Sequence, residues 1–361
     1  MKKVVSLLIV AAMVLSLTAC GSSAQAPAPT EAAKAETKAE AKAETKAAAT
    51  EAAKEAAPEE KTYDTPEITI TVAHMFADGD PSTIAVEEGK KYIEEKTNGR
   101  ISFEIYPNGT YGEQLNSIQA VRMGTLDVFC SSFNTDYVPE AGAIQGPFLF
   151  ADYDHWKKFK NSDYCKELCD QIEQVAGYHI MGVGHFGFRE LLATEDVKTV
   201  DDLKKIKMRV VNAEPYTQAA VVLGATGTPI GITDVYMSLQ TNVVQATENP
   251  VSQLCSMKFY EVAKYLLKTN HMIAQQYWIA SNNMYNGLSA EDQALLDETF
   301  DYIANRIEEQ VEEKEAENYK LMEDNGVTIT EPDRQQFLDR LPEVFKTYPE
   351  WEAIYAKIQA M

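Results

Sequence analysis

Residues 68–130 decide the fold class, and they read ITITVAHMFADGDPSTIAVEEGKKYIEEKTNGRISFEIYPNGTYGEQLNSIQAVRMGTLDVFC. Ile68–Ala73 alternates with a period of two, which predicts a strand, and Ile101–Tyr106 and Leu126–Cys130 are predicted as two more. Helical spacing predicts helices over Ser82–Thr97, which ends at an Asn-Gly stop signal, and over Gln114–Met123. This β-α-β-α-β alternation predicts an open α/β sheet, whose ligands bind in the crevice at the carboxyl ends of the strands.

Polar residues stand where these predicted strands and loops end. They are His74, Gln114 and the Ser131–Asn134 turn, which contains Ser132 and Asn134. The sequence therefore predicts that they lie near a ligand crevice.

A second set of elements begins after Gly177. The predicted strands are His179–Val183, Glu190–Thr194, Lys207–Val211 and Val243–Glu248, and the predicted helices are Val200–Leu203, Ala213–Leu223 and Asp234–Thr241. Arg209 lies on one of these strands and Asn249 at the end of the next. Ala290–Glu323 is a long, heavily charged helical stretch that suits a helix lying across two domains, and shorter helices are predicted over Phe337–Met361.

Two arginines, Arg189 and Arg209, lie in the block from Gly187 to Pro250. The planar guanidinium donates two parallel hydrogen bonds to a carboxylate, which makes arginine the side chain best suited to bind one. Each also has a plain structural interpretation. Arg209 fits a surface position on a strand edge, and Arg189 fits an ion pair with Glu190, Glu195 or Asp196.

The N-terminus has the form of a bacterial export signal. Lys2 and Lys3 precede an apolar run from Val4 to Leu17, which is too short to span a membrane comfortably. Leu-Thr-Ala-Cys-Gly at residues 17–21 resembles a lipobox, and it predicts a signal peptide over residues 1–20 and lipidation of Cys20; an ordinary signal peptide with a chance cysteine is the alternative. Residues 21–62 are rich in Ala, Glu and Lys and are interpreted as a tether, because they hold too little apolar bulk for a core.

The composition excludes several classes of function. A net charge of -22 argues against a nucleic-acid partner. Four cysteines other than Cys20 are interpreted as small packing residues: Cys130, Cys165, Cys169 and Cys255. No Cys or His cluster has metal-ligand spacing, so neither a metal nor a cofactor is expected.

Several short motifs occur in an order and spacing typical of one family. They are Lys96–Ile101, Tyr106–Gly109, Gly124–Asp127, Pro147–Phe150, Asp201–Val210, Val235–Thr241, Glu248–Pro250 and Lys258–Val262. From about Ile68 to Pro342 the chain resembles the DctP-like solute-binding proteins of TRAP transporters (tripartite ATP-independent periplasmic transporters). These proteins capture organic acids outside the cytoplasm and deliver them to a membrane permease.

The resemblance implies a two-domain α/β fold of the periplasmic-binding-protein type, with a hinged cleft and a long helix across both domains. The expected bounds are 63–185 with about 275–310 for the first domain, 186–274 for the second, and 290–361 for the long helix and C-terminal helices. The arginine matching Arg209 makes the two-pronged carboxylate contact in the family, Arg189 and Asn249 match residues that assist it, and Gln114, Ser132, Asn134 and the His74–Met75 pair match the other wall. The predicted binding set is Arg209, Arg189, Asn249, Gln114, Asn134, Ser132, His74, Asn212, Ile232 and Tyr236, although for Tyr236 and His74 a structural role is the stronger interpretation.

The sequence departs from the family pattern at some positions. Ile232 stands where many members have a phenylalanine against the ligand. Sialic acid-binding members have a glutamate and an arginine near Ser132 and Thr135, and neither is present here. These departures disfavour sialic acid and leave carboxylate capture intact.

The expected function is therefore a non-enzymatic, lipid-anchored extracytoplasmic receptor for a small organic carboxylate, monomeric and serving a TRAP-type permease. A ligand-sensing module with the same pocket is an alternative. A lipoprotein hydrolase or lyase is a further one, but it would need a nucleophile and a base. There is no Gly-x-Ser-x-Gly elbow or His-Glu-x-x-His motif, and the five histidines are widely spread.

Overall fold

The β-α-β-α-β unit predicted at the start of the folded chain forms as expected. The computed structural model describes residues 61–132 and 139–361. The predicted signal peptide, Cys20, the tether up to residue 60 and Asn134 lie outside these residues. The strands are β1 Ile68–Ala73, β2 Ile101–Tyr106, β3 Val128–Ser131, β4 Tyr178–Ala193, β5 Lys207–Val210, β6 Thr226–Pro229, β7 Ala246–Pro250, β8 Tyr265–Ser281 and β9 Thr328–Thr330.

The helices cover the sheet and are numbered in chain order. They are α1 Pro81–Lys96, α2 Gln114–Met123, α3 Pro139–Ile144, α4 Tyr153–Lys160, α5 Asp163–Ala176, α6 Val200–Leu203, α7 Glu214–Leu223, α8 Val235–Gln240, α9 Val251–Ser256, α10 Asn282–Tyr285, α11 Ala290–Asp324, α12 Gln335–Leu338, α13 Leu341–Thr347 and α14 Pro349–Gln359. Two short 3-10 turns, Ile232–Asp234 and Phe259–Glu261, precede α8 and follow α9.

The described strands form one mixed sheet in the order β2-β1-β3-β8-β4-β7-β5-β6, with β9 paired to β8. β1 pairs in parallel with β2 and β3, and β5 pairs in parallel with β6 and β7. These two parallel sets, which we call the first and second halves, are joined by the antiparallel pair β4 and β8. Because one sheet runs through both halves, the predicted domain boundaries stay a prediction.

The long strand β4 differs from the sequence-based prediction, which placed two short strands within it. The pairing of β4 with β8 shifts register between Ile180 and Val183 and again between His185 and Phe188. These irregularities fall among Gly182, Gly184 and Gly187, and they interrupt the alternation that the prediction relied on. Gly182 also permits close packing, because a Cβ there would overlap the carbonyl oxygen of Phe300 on α11.

The strand predicted over Val243–Glu248 was also misplaced. Asn242 adopts a positive φ of 60° after α8, and the Val243 amide donates to the Ser238 carbonyl oxygen. Val243 therefore belongs to the helix-ending turn, and β7 begins only at Ala246.

The long helix α11 lies against both halves, as predicted. It begins at a Ser289 cap whose side chain accepts from the Asp292 amide. Its buried face packs on α1 in the first half, on β4, and on α9 in the second half. The side chains of that face are Leu296, Phe300, Ile303, Ala304, Ile307 and Val311.

The four predicted packing cysteines form no disulfide. Cys130, Cys165 and Cys255 are buried and Cys169 is partly buried, all as free thiols. This agrees with their interpretation as small packing residues.

Candidate functional site

A cavity of about 700 Å3 lies between the two halves of the sheet. The first half contributes Met75 and Phe76 after β1, Gln114 at the start of α2 and Ser132 after β3; the second half contributes Arg209 from β5 and Asn249 from β7. The position agrees with the predicted crevice at the ends of the strands. Of the predicted binding residues, those that line it are Arg189, Arg209, Asn212, Gln114, Ser132, Ile232 and Asn249.

Arg209 is a buried cation in this cavity, with only 2% of its surface exposed. Its Nε donates to the Ile230 carbonyl oxygen at 2.8 Å, and Nη1 donates to Asn249 Oδ1 at 3.3 Å. Within residues 61–132 and 139–361, no carboxylate forms an ion pair with it. Burial is the main reason that the pKa of Arg209 falls to about 10, and Arg189 adds to the effect while Glu248 opposes it. A buried, uncompensated charge is costly, so the site favours an incoming anion.

Asn249 links Arg209 to a further amide. Its Nδ2 donates to Gln253 Oε1, and its Oδ1 also accepts from Thr247 Oγ1 at 3.3 Å. The chain of contacts fixes the Asn249 amide and aims it toward the Arg209 guanidinium. Gln253 lines the cavity but was missed in the sequence, because on α9 it has no motif to distinguish it.

Arg189 is neutralised by a buried partner. Its Nε and Nη2 donate to the two carboxylate oxygens of Glu248, and Nη2 also donates to the Glu248 carbonyl oxygen at 2.7 Å. The three partners considered from sequence, Glu190, Glu195 and Asp196, were therefore wrong. β4 pairs with β7 in a register that places Arg189 opposite Pro250, and this brings Glu248 within reach. Sequence distance could not reveal such a cross-strand pair.

Glu248 is ionised in its pair with Arg189, because its pKa is lowered. Burial by itself raises the pKa of Glu248, but the Arg189 charge and a contact with His271 outweigh it and bring the pKa to about 2. His271 Nε2 lies 3.4 Å from Glu248 Oε2 without hydrogen-bond geometry, and burial lowers the pKa of His271. The Tyr216 ring lies against the Arg189 guanidinium, and the distance from Arg189 Cζ to the ring centroid is 4.9 Å.

The facing wall is polar at Gln114 and Ser132. Gln114 Nε2 donates to Ser132 Oγ at 3.0 Å. Gln114 is the first residue of α2 and Ser132 follows β3 directly. The start of the helix and the end of the strand therefore place the two side chains at the cavity. Both were predicted to lie near the crevice, and the structure brings them together.

Two predicted residues lie outside the cavity lining. His74 is fully buried: its Nδ1 accepts from the Phe76 amide at 3.3 Å, and burial lowers its pKa to about 4, so the ring is neutral. Tyr236 packs partly against the apolar cluster beneath α8, and its hydroxyl donates to Glu261 at 2.9 Å. The placement of His74 and Tyr236 fits the structural role that was their stronger interpretation. Met75, next to His74, and Ile232, four residues before Tyr236, do line the cavity.

Comparison with known proteins places this architecture in a family. The family described as bacterial extracellular solute-binding protein, family 7 (DctP) matches residues 72–350, more than half of the chain. The chain belongs to this family. Its members are extracytoplasmic solute-binding receptors and not enzymes. Among the described residues, no helix has the length and apolar character needed to cross a membrane.

Two curated relatives show the extent of the match. The sialic acid-binding periplasmic protein SiaP of Vibrio cholerae is 29% identical over 273 residues, which cover 74% of this chain and 85% of that protein. The 2,3-diketo-L-gulonate-binding periplasmic protein YiaO of Escherichia coli is 30% identical over 266 residues, which cover 73% of this chain and 81% of that protein.

Solved structures of TRAP solute-binding proteins have the same fold as this chain. A TRAP periplasmic solute-binding protein from Actinobacillus succinogenes with bound L-galactonate superposes with a TM-score of 0.77 at 26% identity, covering 81% of this chain and 100% of that one. One from Ochrobacterium anthropi with bound L-fuconate gives a TM-score of 0.77 at 28% identity, covering 81% and 98%. These findings confirm the predicted TRAP solute-binding family and its two-domain fold with a long C-terminal helix.

In this solute-binding protein the two halves also contact each other directly. Thr233 Oγ1, just before α8, donates to Glu113 Oε1, just before α2, at 3.0 Å. Ser256 Oγ at the end of α9 donates to Asp80 Oδ2, in the residue that caps α1, at 2.9 Å. The cavity is thus bounded by both halves. Glu113, a lining residue, was missed in the sequence because it stands in a loop and its partner is 120 positions away.

No group of three or more His, Cys, Asp or Glu side chains among the described residues is arranged to hold a metal ion.

Proposed function

We propose that the chain captures a small organic carboxylate, such as an acid sugar, in the cavity between its halves and delivers it to a TRAP-type permease. The observation that carries the proposal is Arg209, a buried guanidinium that lines a ligand-sized cavity and has no carboxylate partner among the described residues. A ligand carboxylate would supply the missing negative charge.

The neighbouring groups suit such a ligand. In the proposed pose the carboxylate accepts from Arg209, Asn249 orients the guanidinium, and Arg189 assists from its ion pair with Glu248. Gln114, Ser132 and Asn212 offer donors and acceptors for ligand hydroxyls, and Ile232 supplies an apolar contact. His74 and Tyr236 are left out of this set, because neither lines the cavity. Asn134 follows Ser132 outside the described residues and stays a predicted contact.

Relatives support the ligand class. The Actinobacillus and Ochrobacterium proteins hold L-galactonate and L-fuconate, both sugar acids. A Fusobacterium relative with 25% identity and a TM-score of 0.76 holds sn-glycerol-3-phosphate, which is also an organic anion. The shared feature of these ligands is a small polyhydroxy or hydroxy framework with one acidic group.

The test is a titration of the full chain with a panel of organic acids by calorimetry. Arg209→Ala removes two charge-assisted hydrogen bonds, so affinity for the best acid should fall by about 3 kcal/mol, roughly a hundredfold. Lys207→Ala is the matched control, because Lys207 is exposed on the same strand. The ligand-free Arg209→Ala protein should keep the fold of the wild type, because the loss of a buried charge offsets the loss of the hydrogen bonds to Ile230 and Asn249. Unchanged affinity in Arg209→Ala would remove Arg209 from the proposed role.

The membrane attachment is proposed on sequence grounds. We propose that cleavage before Cys20 and lipidation of its thiol anchor the protein to the outer face of the cell membrane, with residues 21–62 as the tether. Mass spectrometry of the protein isolated from cells should show that it begins at Cys20 and carries acyl chains on that residue, and Cys20→Ser should carry none. A wild-type protein without acyl chains on Cys20 would refute the lipid anchor.

A further inference from the structure

The described residues that line the cavity include one positive charge without a carboxylate partner, which can balance one negative charge on the ligand. Of the two arginines that line it in the described chain, Arg189 is neutralised by Glu248 and only Arg209 lacks a carboxylate partner. Two further lining residues, Glu113 and Glu214, are acidic.

Glu113 is an exposed lining residue whose carboxylate is held by a residue of the opposite half. Its Oε1 accepts from Thr233 Oγ1 of the opposite half at 3.0 Å, and a Cβ on Gly231 would lie 2.9 Å from the same oxygen. The carboxylate of Glu214 instead contacts Tyr348, on the C-terminal helices. Arg209 and Glu113 form no ion pair with each other. Burial lowers the pKa of the Arg209 guanidinium; Glu248 is the main group that opposes this effect, and Glu113 makes a smaller contribution in the same direction.

We propose that Glu113 makes the cavity selective for singly charged acids over dicarboxylates. The proposal rests on the proposed function, in which the ligand's carboxylate binds Arg209. The rest of the ligand then shares the cavity with Glu113. A ligand hydroxyl can donate to the Glu113 carboxylate. A second ligand carboxylate instead meets a fixed like charge, and the described lining residues include no further unpaired arginine to balance it. Selectivity by repulsion needs no additional attractive contact.

Pairs of ligands that differ only at one end of the carbon chain measure the effect of a second carboxylate on binding. L-fuconate, L-galactonate and galactarate share one carbon chain and differ at C6, which is a methyl, a hydroxymethyl or a carboxylate. D-erythronate and meso-tartrate form the same hydroxymethyl and carboxylate pair on four carbons. Calorimetry with the full chain should show each singly charged acid binding at least about tenfold more tightly than its dicarboxylate, since the uncompensated charge must be buried.

The variant that tests the residue is Glu113→Gln, which keeps an acceptor for Thr233 and removes the charge. It should narrow the preference for L-galactonate over galactarate by about threefold or more, a factor expected for the charge of an exposed carboxylate. Raising the salt concentration should narrow the wild-type preference in the same direction. Asp234→Asn is the matched control, because Asp234 is exposed beside Thr233 but does not line the cavity. It should leave the preference unchanged.

The outcomes are distinguishable. If the wild type binds a dicarboxylate as tightly as its singly charged partner, the inference is wrong while carboxylate capture stands. An equal effect of Glu113→Gln on both members of a pair, or the same narrowing by Asp234→Asn, also overturns it. Failure of every acid in the pairs and in the wider panel refutes the proposed function, and the inference with it.

Discussion

Replacement of Glu248 by glutamine should destabilise the fold strongly at neutral pH. The folded protein lowers the pKa of this carboxyl from its ordinary 4.5 to about 2, against the opposing effect of burial, which corresponds to roughly 3 kcal/mol of stability. Removing one partner of a buried ion pair costs about 3–5 kcal/mol in other proteins, so the two approaches agree. Glu248→Gln leaves the Arg189 guanidinium, 2% exposed, without its counter-charge.

The sign of the pH dependence follows from the lowered pKa. The contribution of Glu248 is fully present above pH 4.5 and is lost as the pH falls toward 2, so the variant should lose less stability on acidification than the wild type. Urea denaturation at several pH values measures both effects. Glu261→Gln, an exposed carboxylate bonded to Tyr236, is the control and should change stability by less than about 0.5 kcal/mol. A loss below about 1 kcal/mol for Glu248→Gln would show that the Arg189–Glu248 ion pair does not stabilise the fold to this extent.

Three further predictions concern the fold. Burial raises the pKa of Glu190 to about 8, so wild-type stability should fall as the pH rises from about 4.5 to 8; Glu190→Gln should flatten that slope and be the more stable protein at pH 9 in urea denaturation. Gly182→Val should cost about 1–3 kcal/mol or more in the same assay, since its side chain overlaps the Phe300 carbonyl. Trp351→Ala, which empties a fully buried site on α14, should cost about 3–5 kcal/mol and lower the Tm measured by circular dichroism; an unchanged Tm would contradict the packing.

Local patterns were sufficient where an element is amphipathic and bounded by clear signals. Ile68–Ala73, Ile101–Tyr106 and Gln114–Met123 have the bounds that the sequence predicts. β8 shows the limit. Nearly all of its 17 residues are buried, so it lacks the alternation of a half-exposed strand and was not assigned. β4 was split for the related reason that its glycines interrupt the pattern.

The candidate site was predictable to the extent that it depends on residue type and family resemblance. Arg209, Asn249, Gln114 and Ser132 were found in this way, and the structure places all four on one cavity. Pairings between distant segments were not predictable. The partner of Arg189 is Glu248, 59 positions away, and the partner of Glu113 is Thr233; both depend on strand register and on how the two halves meet.

Capture of a carboxylate by Arg209 is tested most directly by a crystal structure of the protein with the acid that it binds most tightly. We expect density for one ligand in the cavity between the halves. Its carboxylate oxygens should lie about 2.7–2.9 Å from the Arg209 guanidinium nitrogens. A ligand bound elsewhere, or one in the cavity whose carboxylate does not contact Arg209, would show that Arg209 is not the carboxylate-binding residue.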